Sequence, residues 1–553
     1  MDRVLPYNED SGPAKAGHHV RIVRWRALVA CGVAALLGGV VYLNALHNPF
    51  VYDDYHTVVE NASIARVTDI RAIVGGALTR PIVNFSYAMD RAIWGAQPLG
   101  FHVTNVLLHM LNVVLLFQLS RRFRKGDFAA FAAAGLFAVH PMMTEAVGYI
   151  SGRSEVLCAT FFMLAMMCGR RWIHGRSKDL RHICDGGSNR LRRGFGGQEA
   201  LRYAWGVLTV GLWGAALATK ESAAMFPFVF LAYDWLGAEG TAAERRRRLL
   251  TVHLPLVGAA VLAGIVRLVI FARVEYVGQT RIHWNYVLLE LDVVRRYVWM
   301  MINPAGQSIF HEVAAVGLFD PRVWLAVFVL GVMVALSWKL RRVDWVASFG
   351  LLWFLLLLVP SSALIALDQG EPMAEHRVYL ASCGIFLSIG SAIGWLRPAD
   401  RLRQGFGAQE AGHFVRYVRV LGAVALALVL ISFGAETMLR NAVWADPVAL
   451  WREAVDLAPA HYRPRLLLGE ALQDAGRRDE AVEQYQEAIR LRPAEPMGYV
   501  KMGQCLAEIG QWAEARQQFL KAIDIDPGNR AARDSLTVLN DVESRFGVDG
   551  SRR

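Results

Sequence analysis

The fold of this chain is decided by the segment ALVACGVAALLGGVVYL, residues 27–43, and by the motif NPFVYDDY, residues 48–55, that follows it. The apolar run is long enough to cross most of the hydrocarbon core of a bilayer. Asp53 and Asp54 therefore stand at a membrane interface, where carboxylates are poorly placed for lipid contact and well placed for chemistry. A bare Asp-Asp pair is more often a solvated turn, so the rest of the chain has to decide between the two interpretations.

The composition indicates a polytopic membrane protein with a soluble tail. The chain has 553 residues, of which 54% are hydrophobic and only 19% are charged, less charge than a soluble protein of this size carries. Apolar segments recur from residue 27 to residue 434. The net charge of +11 could indicate nucleic-acid binding, but Arg and Lys gather in short loops between apolar runs. That distribution is a signal of membrane topology.

Eleven apolar runs are candidate membrane spans, and together they predict an all-α membrane bundle. The third run contains His140-Pro141 and is expected to break there, because Pro cannot continue a helix. The predicted spans cover residues 26–43, 102–119, 128–146, 154–170, 203–219, 222–236, 250–271, 322–338, 345–366, 378–396 and 415–434.

The basic residues predict the orientation of these spans. The head, residues 1–25, carries Arg21 and Arg24, and every second loop is rich in Arg or Lys. In an eleven-span arrangement all of these positions fall on one side, which the positive-inside rule makes the cytoplasm. The tail is then expected outside, together with loops 44–101, 140–153, 272–321 and 367–377. Asp53 and Asp54 would face outward with them.

The tail contains an internal repeat. Pro459, Pro493 and Pro527 stand 34 residues apart, and glycines and alanines between them keep the same period. This is the period of the tetratricopeptide repeat, in which small residues allow paired helices to pack and Pro follows the second helix. Two full repeats are predicted, at about 460–493 and 494–527, flanked by helices near 447–457 and 529–543. Stacked helix pairs form a concave surface that suits an extended peptide.

Together these motifs resemble a known family, the transmembrane and tetratricopeptide-repeat O-mannosyltransferases of the C-type glycosyltransferase superfamily. The resemblance covers nearly the whole chain, because the order of the motifs and the tail agree with it. The motifs are Phe50-Val51-Tyr52-Asp53-Asp54, Arg80-Pro81 with Asn84, Phe101-His102 with Asn105 and His109, His140-Pro141 with Glu145-Ala146-Val147 and Gly152-Arg153, Lys220-Glu221, Ala374-Glu375-His376-Arg377-Val378-Tyr379-Leu380, and Arg440-Asn441 with Trp444.

The resemblance implies a transmembrane glycosyltransferase-like domain over residues 26–436 and an extracytoplasmic repeat domain over residues 437–545. It implies transfer of a sugar, expected to be mannose, from a polyprenyl-phosphate donor to Ser or Thr of extracytoplasmic proteins, with inversion at the anomeric carbon. The repeats would present the protein acceptor. The short head and modest size favour a bacterial homologue in the plasma (inner) membrane.

The reaction needs a base for the acceptor hydroxyl, and the resemblance favours Asp53 with Asp54 in support. Glu145 is the candidate for a second carboxylate that orients the acceptor or a metal ion, although a hydrogen-bonded interface residue explains it equally well. A divalent cation, Mg²⁺ or Mn²⁺, would use Asp53, Asp54 or Glu145, but no ligand spacing demands one.

The departing phosphate needs fixed positive charge. The expected donor-binding cations are Arg80, Lys220, His376 and Arg377. An Arg at the interface, however, often only extends its side chain so that the guanidinium is solvated. Four further residues are candidates for the site: Glu221, Glu375, His102 and Arg153. His102 and His109 share one face of a span, where a hydrogen-bonding role in the core is favoured over metal ligation.

Three other functions stay open. The chain could transfer a different lipid-linked sugar to a lipid or glycan. It could be a non-catalytic membrane-anchored scaffold that assembles envelope proteins, although such a scaffold has no need of Asp53, Glu145, Lys220 and Arg377. A transporter is disfavoured because the charged residues lie at the ends of spans, whereas transport sites lie near the midplane.

Overall fold

The computed structural model describes residues 13–123, 126–174, 195–270, 284–313, 316–365, 371–395 and 408–546. Every regular element in this part of the chain is helical, which confirms the predicted all-α class. Most of the predicted head (residues 1–12), the centre of one basic loop (residues 175–194) and a second basic loop (residues 396–407) lie outside the described residues.

Sixteen α-helices of the described residues precede the repeat tail. They are α1 Pro13–Val40, α2 Ile70–Gly76, α3 Pro81–Trp94, α4 Pro98–Arg122, α5 Asp127–Val139, α6 Thr144–Val147, α7 Arg153–His174, α8 Phe195–Leu217, α9 Phe226–Gly237, α10 Ala242–Arg248, α11 Leu254–Ile270, α12 Trp284–Met300, α13 Pro321–Leu340, α14 Trp345–Ile365, α15 Tyr379–Trp395 and α16 Ala408–Val443.

Seven helical stretches in the described residues are long and apolar enough to cross a membrane, and a bent pair makes an eighth. The other predicted spans, 203–219, 222–236 and 345–366, fall on helices that do not meet this criterion, so the count of eleven stays a prediction. The seven stretches are Trp25–His47, Pro98–Arg122, Ile150–His174, Ala242–Val266, Pro321–Leu340, Glu375–Gly394 and Arg416–Val443.

Small residues allow the helices of this bundle to approach closely. A Cβ added to Gly350 of α14 would lie 2.2 Å from the carbonyl oxygen of Gly384 in α15. On the same helix α15, a Cβ on Gly390 would lie 2.6 Å from the carbonyl oxygen of Ala129. Lipid tails provide no hydrophobic force between spans, so contact of this kind is a main source of helix association in a bilayer.

The chain bends at His140-Pro141, as the sequence predicts. Helices Asp127–Val139 and Pro141–Val147 meet at 60°, because Pro lacks the N–H that would continue the helical hydrogen bonds. His140 supports the bend: its Nδ1 accepts from the Met142 N–H at 3.2 Å, and its Nε2 donates to the Met301 carbonyl oxygen at 3.2 Å.

The chain then doubles back before α7 begins. A Cβ on Gly152 would lie 2.6 Å from the carbonyl oxygens of both Glu145 and Ala146, so only Gly fits this position. We call residues 140–153 the doubled-back segment. Nearly all of it is buried.

The loop predicted over residues 272–321 contains a helix that the sequence analysis did not predict, α12 at Trp284–Met300. Its buried residues Leu289, Val293, Tyr297 and Met300 follow the period of a helix with one apolar face. The charged residues between them lower the hydropathy too far for a membrane span, so a search for apolar runs missed this helix.

The repeat tail belongs to a second compact unit, which comprises Pro304–Ala315, Glu371–Glu375 and Ala442–Arg553. Its helices confirm the predicted repeats and both flanking helices. They are α17 Pro447–Leu457, α18 Tyr462–Asp474, α19 Arg478–Leu491, α20 Pro496–Glu508, α21 Trp512–Ile525 and α22 Arg530–Phe546.

The periodic glycines of the tail permit the helices of each repeat to pack. A Cβ on Gly469 would lie 2.5 Å from the Tyr485 ring, and a Cβ on Gly503 would lie 2.6 Å from the Phe519 ring. Tyr485 and Phe519 are buried. The 34-residue period therefore repeats one contact between a glycine and an aromatic ring.

We expect Gly503→Leu to destabilise the tail by about 1–3 kcal/mol, because the added side chain overpacks the contact with Phe519. Limited proteolysis of the detergent-solubilised full chain would show faster cleavage of the tail. The matched control is Asp524→Leu, since the Asp524 side chain is 77% exposed. Equal protease resistance of the two variants would contradict the packing described here.

Candidate active site

Asp53 and Asp54 occupy different environments although they are neighbours. Asp54 is buried, with 1% of its surface exposed. Its Oδ1 accepts from the Ser151 N–H at 2.8 Å and the Ser151 hydroxyl at 2.6 Å, and its Oδ2 accepts from the Val51 N–H at 3.2 Å. Asp53 is exposed. Asp54 therefore holds its loop against the doubled-back segment, while Asp53 offers its carboxylate to solvent.

The backbone around Asp53 is held in an unusual conformation. Tyr52 has a φ of 51°, a left-handed conformation that is uncommon for a residue other than Gly, Asn or Asp. The Asp53 N–H donates to the Tyr149 hydroxyl at 3.0 Å. Burial, followed by the charges of Asp54 and Asp53, raises the pKa of Tyr149 well above its ordinary value. Such strain persists only where the surrounding structure imposes it, and it clusters at active sites.

Glu145 lies on the doubled-back segment and holds His376. Its Oε1 accepts from His376 Nδ1 at 2.7 Å, and its Oε2 accepts from the His376 backbone N–H at 3.0 Å. The Glu145 side chain is 5% exposed and the His376 side chain 23%. Both oxygens of Glu145 thus accept hydrogen bonds from His376. These two bonds fix the orientation of the imidazole ring.

Two further ion pairs lie beside this contact. Lys220 Nζ is 2.7 Å from Glu155 Oε1, and both side chains are buried. Arg80 Nη2 is 3.3 Å from Glu221 Oε2, with 43% of the Arg80 side chain exposed. Glu221 holds the pKa of Arg80 above its ordinary value. The residues are brought together where the N-terminus of α3 meets the end of α8, since the Ile82 N–H donates to the Ala218 carbonyl oxygen at 3.3 Å.

The predicted donor-binding residues form one electrostatic cluster. Lys220, Arg377 and Arg80 all act on the His376 ring, as does the carboxylate of Glu155. The structure thus brings together Glu145 and the four predicted cations, which come from four separate parts of the sequence. We call this group the cationic cluster: Arg80, Lys220, His376 and Arg377, with their carboxylate neighbours Glu145, Glu155 and Glu221.

Arg153, a predicted site candidate, is instead part of the core. It is completely buried, and its Nη1 is 2.5 Å from Asp90 Oδ2. Its Nε donates to Asn105 Oδ1 at 2.7 Å and its Nη2 donates to the Phe101 carbonyl oxygen at 2.7 Å. A guanidinium held this way joins α3, α4 and α7, and has little freedom to bind a substrate.

Two other candidates, His102 and Glu375, form hydrogen bonds with residues that the sequence analysis did not predict for the site. His102 is buried and its Nε2 donates to the Asn48 carbonyl oxygen at 3.1 Å, the hydrogen-bonding role favoured from its position in a span. Glu375 belongs to the second unit, where it accepts from Gln307 Nε2 at 2.7 Å, the Ser308 N–H at 2.7 Å and His311 Nε2 at 3.0 Å.

The sequence analysis missed Glu155, Tyr149 and Ser151. Glu155 lies in a stretch able to cross the membrane, and an ionisable residue there signals a partner or a function. Tyr149 and Ser151 gave no comparable signal, because their contacts with Asp53 and Asp54 cross 96 and 97 residues of sequence.

The residues proposed as metal ligands do not fit a three-ligand site. Both oxygens of Asp54 and both of Glu145 already accept hydrogen bonds from the protein. Within the described ranges no group of three His, Cys, Asp or Glu residues is placed to hold a metal ion. We therefore derive no chemical step through Mg²⁺ or Mn²⁺.

Known proteins resemble this chain along most of its length. Protein O-mannosyl-transferase Tmtc1 of Drosophila melanogaster is 25% identical over 82% of the chain, and human TMTC1 is 23% identical over 83%. Mouse TMTC2 is 33% identical over a shorter stretch, 26% of the chain. The curated relatives of this chain are protein O-mannosyl-transferases. This confirms the resemblance predicted from the motifs.

The relatives are longer than the chain, which spans 60% of the length of fly Tmtc1 and 55% of that of human TMTC1. A family model described as the tetratricopeptide repeat matches residues 466–530, within the predicted repeats. Taken with the apolar helices, these similarities identify an integral membrane protein that carries tetratricopeptide repeats.

We expect Asp90→Ala to destabilise the protein by about 3–5 kcal/mol, because it leaves Arg153 as an uncompensated buried charge. The midpoint of thermal unfolding in detergent should fall, and the double variant Asp90→Leu, Arg153→Met should recover part of the loss. The control is Asp127→Ala, which breaks the one-third-exposed pair with Arg121 and should cost about 1 kcal/mol or less. If Asp90→Ala lowers the stability no more than Asp127→Ala does, the assignment of Asp90 and Arg153 to a buried core ion pair is contradicted.

Burial raises the pKa of Asp54 to about 7, despite the hydrogen bonds from Ser151 and Val51. A carboxyl that keeps its proton to a higher pH when folded favours folding at low pH, and that advantage is lost as the pH rises from about 4 through about 7. Thermal stability should therefore decrease over this range in the wild type, and less so in Asp54→Asn. The exposed Asp69 gives the control, and a slope equally reduced in Asp69→Asn would refute this prediction.

Proposed function

We propose that this chain is a protein O-mannosyltransferase that uses a polyprenyl-phosphate mannose donor and inverts the anomeric carbon. The observation that carries the proposal is the doubled-back segment. It holds the loop of the exposed Asp53 through Tyr149 and Ser151, and it holds His376 of the cationic cluster through Glu145. One rigid element thus supports both a candidate base and a candidate phosphate site.

Asp53 acts as the general base. Its carboxylate is exposed, so it can reach a Ser or Thr hydroxyl of an incoming protein and remove the proton as that oxygen attacks the sugar. Asp54 does not compete for this role because its oxygens are occupied by Ser151 and Val51. Asp54 instead fixes the loop on which Asp53 stands.

The cationic cluster binds the donor phosphate. Fixed positive charge stabilises the negative charge that develops on the phosphate as the glycosidic bond breaks. Arg80, His376 and Arg377 are partly exposed, so they make the first contact with the phosphate. Lys220 is buried against Glu155, so it contributes to the positive electrostatic potential at the phosphate without a direct contact. The lipid of the donor stays in the bilayer, while its sugar stands at the interface where Asp53 lies.

The proposed setting follows from the charge distribution. The chain lies in the plasma (inner) membrane of a bacterium, with its head in the cytoplasm and its repeats on the outer side. The repeats can then present extracytoplasmic acceptor proteins. The similarity to protein O-mannosyl-transferases supports the reaction type. The repeat helices support an interaction with an extended peptide.

We expect Asp53→Asn to reduce transfer by at least about 10²-fold, because it removes the base but keeps the size of the side chain. The measurement is transfer of labelled mannose from polyprenyl-phosphate mannose to extracytoplasmic proteins, with the purified full chain. Asp69→Asn is the matched control on the same predicted loop, and its transfer should stay near that of the wild type.

The outcomes separate the alternatives. Near-wild-type transfer by Asp53→Asn would refute the assignment of the base. If neither protein transfers mannose while both stay folded, the mannose proposal fails. Transfer from a different lipid-linked sugar would then identify the first alternative, and no transfer from any donor would favour the scaffold.

A further inference from the structure

Glu145 and His376 form a carboxylate–imidazole dyad. An ionised carboxylate can only accept hydrogen bonds, so the 2.7 Å contact requires a proton on His376 Nδ1. The Nε2 atom lies on the opposite side of the ring from this contact, and 23% of the side chain is exposed. A carboxylate that fixes the tautomer and orientation of His in this way is typical of histidines that exchange protons during catalysis.

The charges of the cationic cluster itself balance one another. Three cations face three carboxylates, and the imidazole contributes no charge when it is neutral. A phosphodiester donor adds one negative charge to this group, and a proton on His376 would restore the balance. The cations are Arg80, Lys220 and Arg377, and the carboxylates are Glu145, Glu155 and Glu221.

We propose that the Glu145–His376 dyad takes up a proton when the donor phosphate binds, and that His376 Nε2 then donates it to the departing phosphate. His376 would be a catalytic residue, and Glu145 a positioning residue that holds the ring and stabilises the imidazolium. This inference rests on the proposed function. It replaces the expectation that Glu145 orients the acceptor or a metal ion.

The step balances in protons and charge. The acceptor oxygen forms a bond to the anomeric carbon and loses its proton to Asp53, while the bond from that carbon to the phosphate oxygen breaks. The electron pair stays on the phosphate, and the proton from His376 Nε2 limits the product to one negative charge. Asp53 then returns its proton to solvent, and His376 is reprotonated when the next donor binds.

Donor binding at different pH tests the proton uptake directly. The probe is polyprenyl-phosphate mannose, a phosphodiester whose own charge does not change between pH 5.5 and about 8. In the wild-type full chain we expect affinity to fall by up to about tenfold per pH unit as the pH rises through this range, since one proton is taken up on binding. His376→Gln should bind more weakly and lose this slope. The control is His56→Gln, an exposed histidine near Asp53, which should keep it.

Glu145→Gln separates a role in protonation from a purely structural role. If Glu145 stabilises the imidazolium of the complex, the affinity of Glu145→Gln should stop depending on pH at a lower pH than that of the wild type, and the pH slope should be lost above that point. If Glu145 only maintains the shape of the site, affinity should fall equally at every pH. This second variant also keeps the test valid if His376→Gln folds poorly.

Each outcome has one meaning. Because burial raises the pKa of Asp54 to about 7, a pH slope could also come from that carboxyl, and only a slope that disappears with His376 supports the dyad. A wild-type slope in His376→Gln, or a uniform loss in Glu145→Gln, would overturn this inference and leave the proposed transferase standing. If the wild type does not bind the donor at any pH, the proposed function and this inference fail together.

Discussion

The hydrogen bonds between Asp54 and Ser151 are the constraint on which the candidate site depends. They join two loops that lie 97 residues apart in the sequence, and they accompany the contact between Asp53 and Tyr149. A buried carboxylate is costly unless donors surround it, and Asp54 accepts from three. The loop can therefore keep this carboxylate buried only when the doubled-back segment is in place.

The doubled-back segment in turn depends on Pro141 and Gly152. Pro141 ends the helical hydrogen bonds of α5, and Gly152 allows the chain to pass against its own carbonyl oxygens. Between them stand Glu145, Tyr149 and Ser151. A side chain at position 152 would push apart the two halves of the segment, and both the Asp54 contact and the Glu145 contact would move with them.

Much of the fold could be predicted because it follows from short-range patterns. Pro459, Pro493 and Pro527 mark the ends of repeats, and the bend at His140-Pro141 follows from the chemistry of proline. The helix Trp284–Met300 could not be found from apolar runs, because its signal is a single buried face interrupted by charge. Helix periodicity would have been the better test there.

The sequence could predict which residues are candidates for the site, but not which of them are in contact. Asp53, Asp54, Glu145 and His376 stood out as ionisable residues beside apolar spans. Their partners did not, because Glu145 and His376 are separated by 231 residues and no local pattern links them. The partner of Arg153 was equally hidden: its motif marks the residue as unusual, but only the structure shows that it pairs with Asp90 in the core.

Burial sorts these charges into those that hold the fold and those that can react. The membrane makes an unpaired ion expensive, so Arg153 meets Asp90 and Lys220 meets Glu155, with little exposure on either side. Arg80 and His376 are also paired but remain partly open to solvent. A phosphate can compete for these two at low cost, since water already reaches them. The same distinction separates Asp53, which is exposed, from Asp54, which is buried. The groups that can react are therefore those that the fold leaves open to solvent.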